Sequence, residues 1–233
     1  MGQTLMLIHT SPTLTPMFGS LCSEHLPGTK VFHMVDESLI GDTIRAGRLQ
    51  RVTVRRLLGM IESAEQAGAD AVMVTCSSIG PGVRIGQGLF DIPVIRVDEA
   101  MAEAAVRVGR RIGVMATLRT TLEPTTALLR KKAAEAGLEI EVVESLCDGA
   151  FAAVLAGDTA THDAIVERAL RDEMRAVDVV VLAQASMARV TTAIGDVGIP
   201  VLSSPASAVL CARAALEARA ASSNLHISPL VVD

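Results

Sequence analysis

Cys76 stands at the end of an apolar run and is followed at once by two serines, in the stretch DAVMVTCSSI at 70–79. A thiol so placed can act as base, acid or nucleophile, and hydroxyls or main-chain N–H groups beside it can hold an oxyanion. A second stretch, DVVVLAQASM at 178–187, aligns with the first without gaps. Asp70 falls on Asp178, residues 71–74 on 179–182 and Ser78 on Ser186, but Cys76 falls on Gln184. Further on, the IPV of 92–94 recurs at 199–201. A repeat of this length predicts two similar α/β lobes facing each other, with sulfur on one side and a carboxamide on the other. The amide cannot cycle protons near neutral pH, so the two sides cannot do the same chemistry.

Ligands of open parallel sheets bind beyond the carboxyl ends of the strands. The residues falling there are His9, Thr10 and Ser11; Thr75, Cys76, Ser77 and Ser78; Thr117, Arg119, Thr120 and Thr121; Gln184, Ala185 and Ser186; and Ser203 with Ser204. This set is rich in hydroxyls and nearly free of carboxylates, which suits a small anion, most naturally a carboxylate. Each residue also has a plainer reading. Free cysteine is among the most buried residue types, a glutamine can simply bond backbone, and serines and threonines at such turns cap helices. His9 is either a satisfied histidine at a strand end or the second acid/base that glutamine cannot be. Arg119, in the loop after 112–116, is either a solvated charge or a bidentate clamp for a carboxylate. A helix start after Cys76 predicts a thiol pKa below the ordinary range. Were the 33–47 segment to fold over the site, Asp36 and Glu37 would select a substrate amine or hydroxyl.

The elements that must position these residues follow from periodicity. Apolar runs at 5–8, 71–74, 112–115 and 179–182, and the stretch 140–143 that Glu141 interrupts, lack a clear period of two, as strands buried on both faces of a parallel sheet do. Helical patterns lie at about 50–67, 98–109, 122–136, 160–176 and 205–220. Gly68 stops the first, Asp98 and Asp158 are candidate N-caps, and Glu123-Pro124 marks a helix start. The alternation predicts an α/β fold of two pseudosymmetric lobes, each a parallel sheet flanked by helices. Residues 1–97 with 208–233 would form the thiol lobe and 98–207 the Gln184 lobe, with the last helix returning to the first.

Composition excludes several classes. Among 233 residues there is no Trp, no Tyr and only four Phe, with a net charge of −5, so a basic groove with stacking aromatics for nucleic acid is missing. No apolar run reaches the roughly 20 residues of a membrane helix, and the N-terminus lacks a signal-peptide pattern, so a cytoplasmic location is expected. The four cysteines form no C-x-x-C pair and the histidines no H-x₃-H pair, so no metal site is expected. No G-x-G-x-x-G follows a strand and no P-loop lysine is present, so nucleotide cofactors lack their usual cradle.

The segments VMVTCSSIG at 72–80, IGVMATLRTT at 112–121 and VVVLAQASMA at 179–188 together resemble the aspartate/glutamate/hydantoin racemase superfamily, which includes maleate isomerase and arylmalonate decarboxylase. The resemblance covers most of the chain. It implies a site between two pseudosymmetric lobes, no cofactor, and a pair of thiols that remove and return the proton next to a carboxylate. Cys76 matches the first-lobe thiol; Gln184 occupies the second thiol's place. Expected, therefore, is a cofactor-independent isomerase or racemase of a small carboxylic or amino acid with one reactive thiol, assembled as a homodimer. A one-thiol decarboxylase or lyase, a non-catalytic carboxylate binder and a Cys76–His9 hydrolase are the alternatives.

Overall fold

The computed structural model describes residues 2–195 and 197–225; Met1, Asp196 and the end of the first-lobe assignment, 226–233, lie outside the described residues. The chain forms two four-stranded parallel sheets. In the first, β1 (Thr4–His9), β2 (Lys30–Val35), β3 (Ala71–Val74) and β4 (Val94–Arg96) lie in the order β2-β1-β3-β4. In the second, β5 (Arg111–Ala116), β6 (Glu141–Leu146), β7 (Val179–Leu182) and β8 (Val201–Ser203) lie in the equivalent order β6-β5-β7-β8. Paired strands match in length at six, six, four and three residues.

The central strands carry the apolar runs because helices cover both their faces: β3 and β7 are buried throughout, and β1 and β5 after their first residue. The edge strand β2 was not expected, and β6 runs to Leu146 rather than stopping at 143. Both are half-exposed, so polar residues interrupt their apolar pattern. In the first lobe, one sheet face packs on α1 (Thr15–His25) and α10 (Ser204–Leu225), the other on α2 (Glu37–Ala46), α3 (Arg51–Gln66) and α4 (Gly80–Gly86). In the second, α5 (Glu99–Val108) and α6 (Arg119–Glu135) cover one face. Helices α7 (Ala150–Leu155), α8 (Thr159–Glu173) and α9 (Ala188–Ala193) cover the other. Burying each core Leu, Ile or Met side chain contributes about 1.5–3 kcal/mol, so these four clusters carry the fold.

The helices that follow the two shortest strands change sides. After β4, α5 packs on the second sheet; after β8, α10 packs on the first, through Ala208, Val209, Ala212 and Leu216. The repeat's aspartates lie at the opposite end of the sheets from the thiol. Asp70 accepts the Thr4 N–H at 2.8 Å, and Asp178 accepts those of Arg110 and Arg111 at 2.7 and 2.8 Å. Each starts a central strand in register.

Candidate active site

β3 delivers Cys76 to the carboxyl edge of the first sheet, where Ser77–Ile79 form a single 3-10 turn leading into α4. β7 delivers Gln184 to the same place in the second lobe, before the matching turn Ala185–Met187. Both residues have extended backbone, at φ −126°, ψ 114° and φ −123°, ψ 140°. The repeat therefore presents sulfur and carboxamide in one main-chain geometry.

Each faces the threonine that ends the neighbouring central strand. Around Cys76, the Thr10 and Ser78 hydroxyls and the main-chain N–H groups of Ile79 and Ser78 lie where they favour the thiolate over the thiol. In the second lobe, Gln184 Oε1 accepts the Thr117 N–H at 2.6 Å and Gln184 Nε2 donates to Thr117 Oγ1 at 2.7 Å. That leaves one Gln184 N–H without a partner among the described residues. The two constellations meet on the segment 117–121. Ser78 Oγ lies 2.7 Å from Thr121 Oγ1 across the lobe boundary, in buried surroundings. From the other side, Ala185 packs into the core of the first lobe.

Burial raises the Cys76 thiol above its ordinary range, and the four donors pull the other way without overcoming it. The expectation of a lowered thiol pKa is thus corrected. The turn after Cys76 is short, and desolvation is the largest influence on the thiol. The resting group is S–H.

Other candidates part company with the site. Thr75 turns away: its hydroxyl contacts the Ile8 carbonyl at 3.2 Å and His9 Nδ1 at 2.8 Å. His9 is fully buried, and its Nε2 meets His33 Nδ1 at 2.9 Å under a stacked ring. Burial and the His33 charge lower its pKa to about 4. Both ring nitrogens are engaged, so His9 is not free as the second acid/base, and it is not among the partners of Cys76. Ser11 caps the short 3-10 helix Pro12–Leu14, bonding Thr13. Arg119 is not in a loop but opens α6, exposed to solvent. That helix starts five residues before Pro124, which sits inside it and leaves the Thr120 carbonyl without its usual donor.

Among the described residues Thr120 Oγ1 is buried with no partner, and Ser77 and Ser186 lie at the two turns with no side-chain hydrogen bond. Segment 33–47 contributes α2, which packs against the Cys76 turn. Two of its acids are already committed, whereas Glu37 is exposed: Asp36 accepts the Ser38 N–H and binds Arg56 at 2.6 Å, and Arg56 also binds Asp42 at 3.2 Å. Burial alone would raise the Asp36 carboxyl, but Ser38 and Arg56 bring it below its ordinary value. Among the described residues no cluster of three or more His, Cys, Asp or Glu side chains can hold a metal ion, and no helix is long and apolar enough to cross a membrane.

Sequence reasoning missed Arg96 and the role of Asp98. Asp98 makes no cap bond to α5; instead its two oxygens take Arg96 Nε and Nη2 at 2.6 and 2.8 Å. The signal was present as an arginine inside the apolar segment IPVIRVD.

Solved structures share this fold. An allantoin racemase from Klebsiella pneumoniae superposes with a TM-score of 0.67 at 21% identity, covering 95% of this chain and 89% of that one. A glutamate racemase from Bacillus anthracis gives 0.71 at 18%, covering 93% and 82%. An aspartate racemase from Picrophilus torridus gives 0.69 at 15%, covering 96% and 95%. A search of curated proteins finds no match. The model of the family described as Asp/Glu/Hydantoin racemase matches residues 4–212. The chain belongs to the Asp/Glu/hydantoin racemase family and is an enzyme of racemase or isomerase type.

Proposed function

We propose that this enzyme acts at the carbon next to a carboxylate of a small carboxylic or amino acid, with Cys76 as its single reactive thiol. The observation that carries the reading is the matched placement of Cys76 and Gln184 at equivalent strand ends, each in extended backbone before a 3-10 turn, with sulfur in one lobe and a carboxamide in the other. The Gln184 N–H left over by Thr117, with the hydroxyls of Thr120, Ser77 and Ser186, supplies donors for the substrate carboxylate and for the enolate formed from it. Such donors are worth about 3–4 kcal/mol each where charge develops. The thiol first gives its proton to solvent; the thiolate then takes the proton from the substrate carbon, the same sulfur returns one to the enolate, and no titratable group at 184 returns a proton to the opposite face.

A second reading gains from the raised thiol pKa. A sulfur that keeps its proton is suited to protonating a carbanion, as a one-thiol decarboxylase or lyase requires. Proton NMR in deuterated buffer over a panel of small mono- and dicarboxylates tests both. Deuterium at the carbon next to the carboxylate is expected, or carbon dioxide release for decarboxylation. Either signal should disappear in Cys76→Ala while circular dichroism and the melting temperature hold. Unimpaired turnover in Cys76→Ala removes Cys76 from the chemistry. Ligand-induced melting shifts with no exchange and no product would make the protein a carboxylate binder.

A further inference from the structure

We propose that the buried Arg96–Asp98 ion pair is a positioning device that holds the Cys76 turn against the second lobe. This rests on Cys76 being the reactive thiol. Arg96 and Asp98 are 3% and 0% exposed and carry no part of the proposed proton transfer. Compared with apolar residues of similar size, a buried pair gives little net stability, so its value lies in direction. The guanidinium fork spends two bonds on Asp98 and sends a third, at 3.2 Å, to the Pro124 carbonyl of α6.

Three contacts converge there. Arg96 pairs across β3 with Val74, two residues before Cys76. Its guanidinium also fills the space beside Gly80, where a β-carbon would collide with Nε and Cζ. Gly80 has ordinary helical backbone (φ −51°), so glycine serves for room and not for an unusual dihedral. Finally, Pro124 and Thr121 are three residues apart on one face of α6. Arg96 grips the first and Ser78 the second. Ser78, two residues after the thiol, and Arg96, whose guanidinium lies behind the turn, thus dock on the same helical turn of the opposite lobe.

The test is the pH profile of Cys76 alkylation by iodoacetamide, read by mass spectrometry on the Cys76 peptide of the full chain. Asp98→Asn, Gly80→Ala and the double variant Arg96→Met with Asp98→Leu are compared with the parent. Replacing both charges by apolar groups keeps the fold, which circular dichroism and melting verify. With the turn released and the sulfur better solvated, the profile should move down toward the ordinary thiol range. Alkylation near neutral pH should then rise about tenfold, the effect of a one-unit fall in thiol pKa. Gly80→Ala should reproduce the shift and add nothing to it in the double variant. A pair that is merely structural would change the melting temperature alone. A Cys76 profile within about twofold of the parent in the folded double variant overturns the proposal. The readout is sulfur environment and not turnover, so an active Cys76→Ala enzyme would sink the proposed function without deciding this measurement.

Discussion

At the scale of single residues, the site is set by what each polar group has left over after its local bonds. Gln184 is the clearest case, since Thr117 takes its carbonyl and one of its amide hydrogens. Replacing it with a thiol should supply the missing proton carrier. Gln184→Cys is expected to gain deuterium incorporation at a substrate carbon over the parent, measured by proton NMR; no gain would mean that the second proton donor is not what limits the parent. His9 makes a different contribution. With its pKa held near 4 against an ordinary 6.5, the folded state favours the neutral ring. Its stabilisation is complete above pH 6.5 and is lost as pH falls toward 4, by about 3 kcal/mol in all. Urea midpoints of the parent should therefore fall over that window, and those of His9→Asn should fall less. Burial raises the thiols of Cys22 and Cys147 to about 11. Their stabilisation is present below an ordinary thiol pKa and is lost as pH climbs through 11.

Among the elements, legibility in the sequence followed burial. β1, β3, β5 and β7 lie inside their sheets, so four or five consecutive apolar residues announced them and placed Cys76, Thr10, Thr117 and Gln184 at strand ends. β2 and β6 are edges, and β4 and β8 are three residues long, too short for a period to show. Consequently neither strand announced the partner it carries, His33 on β2 for His9 and Arg96 on β4 for Asp98, although the arginine itself stands out within IPVIRVD. Asp158 does cap α8, bonding Thr161 N at 3.0 Å, whereas Asp98 is diverted from α5 because a buried guanidinium outcompetes a helix end. The resemblance supplied the two-thiol frame against which Gln184 stands out. α6 is the element that joins the lobes at the site. Thr121→Val keeps its shape but removes the bond to Ser78. A loss of about 1 kcal/mol is expected from denaturant midpoints, more if the Ser78 hydroxyl is left unsatisfied.

On the scale of the molecule, α5 and α10 are exchanged between the sheets, so neither lobe closes its own core. Leu5, Leu7, Ala71 and Met73 lie in the cluster that α10 covers. A fragment of residues 1–97 lacks that helix and should fail to fold, binding hydrophobic dyes and showing no cooperative melt. The whole chain should unfold in one transition, with far-ultraviolet and dye signals superimposed. Two separable transitions would show the lobes to be independent. The exchange also bears on how unlike groups come to face each other. Two identical half-length chains swapping their final helix would build the same architecture, but a single codon would then specify both strand-end positions. With the halves joined in one chain, each strand-end position has its own codon, so one can be cysteine and the other glutamine and the site is freed from its own symmetry.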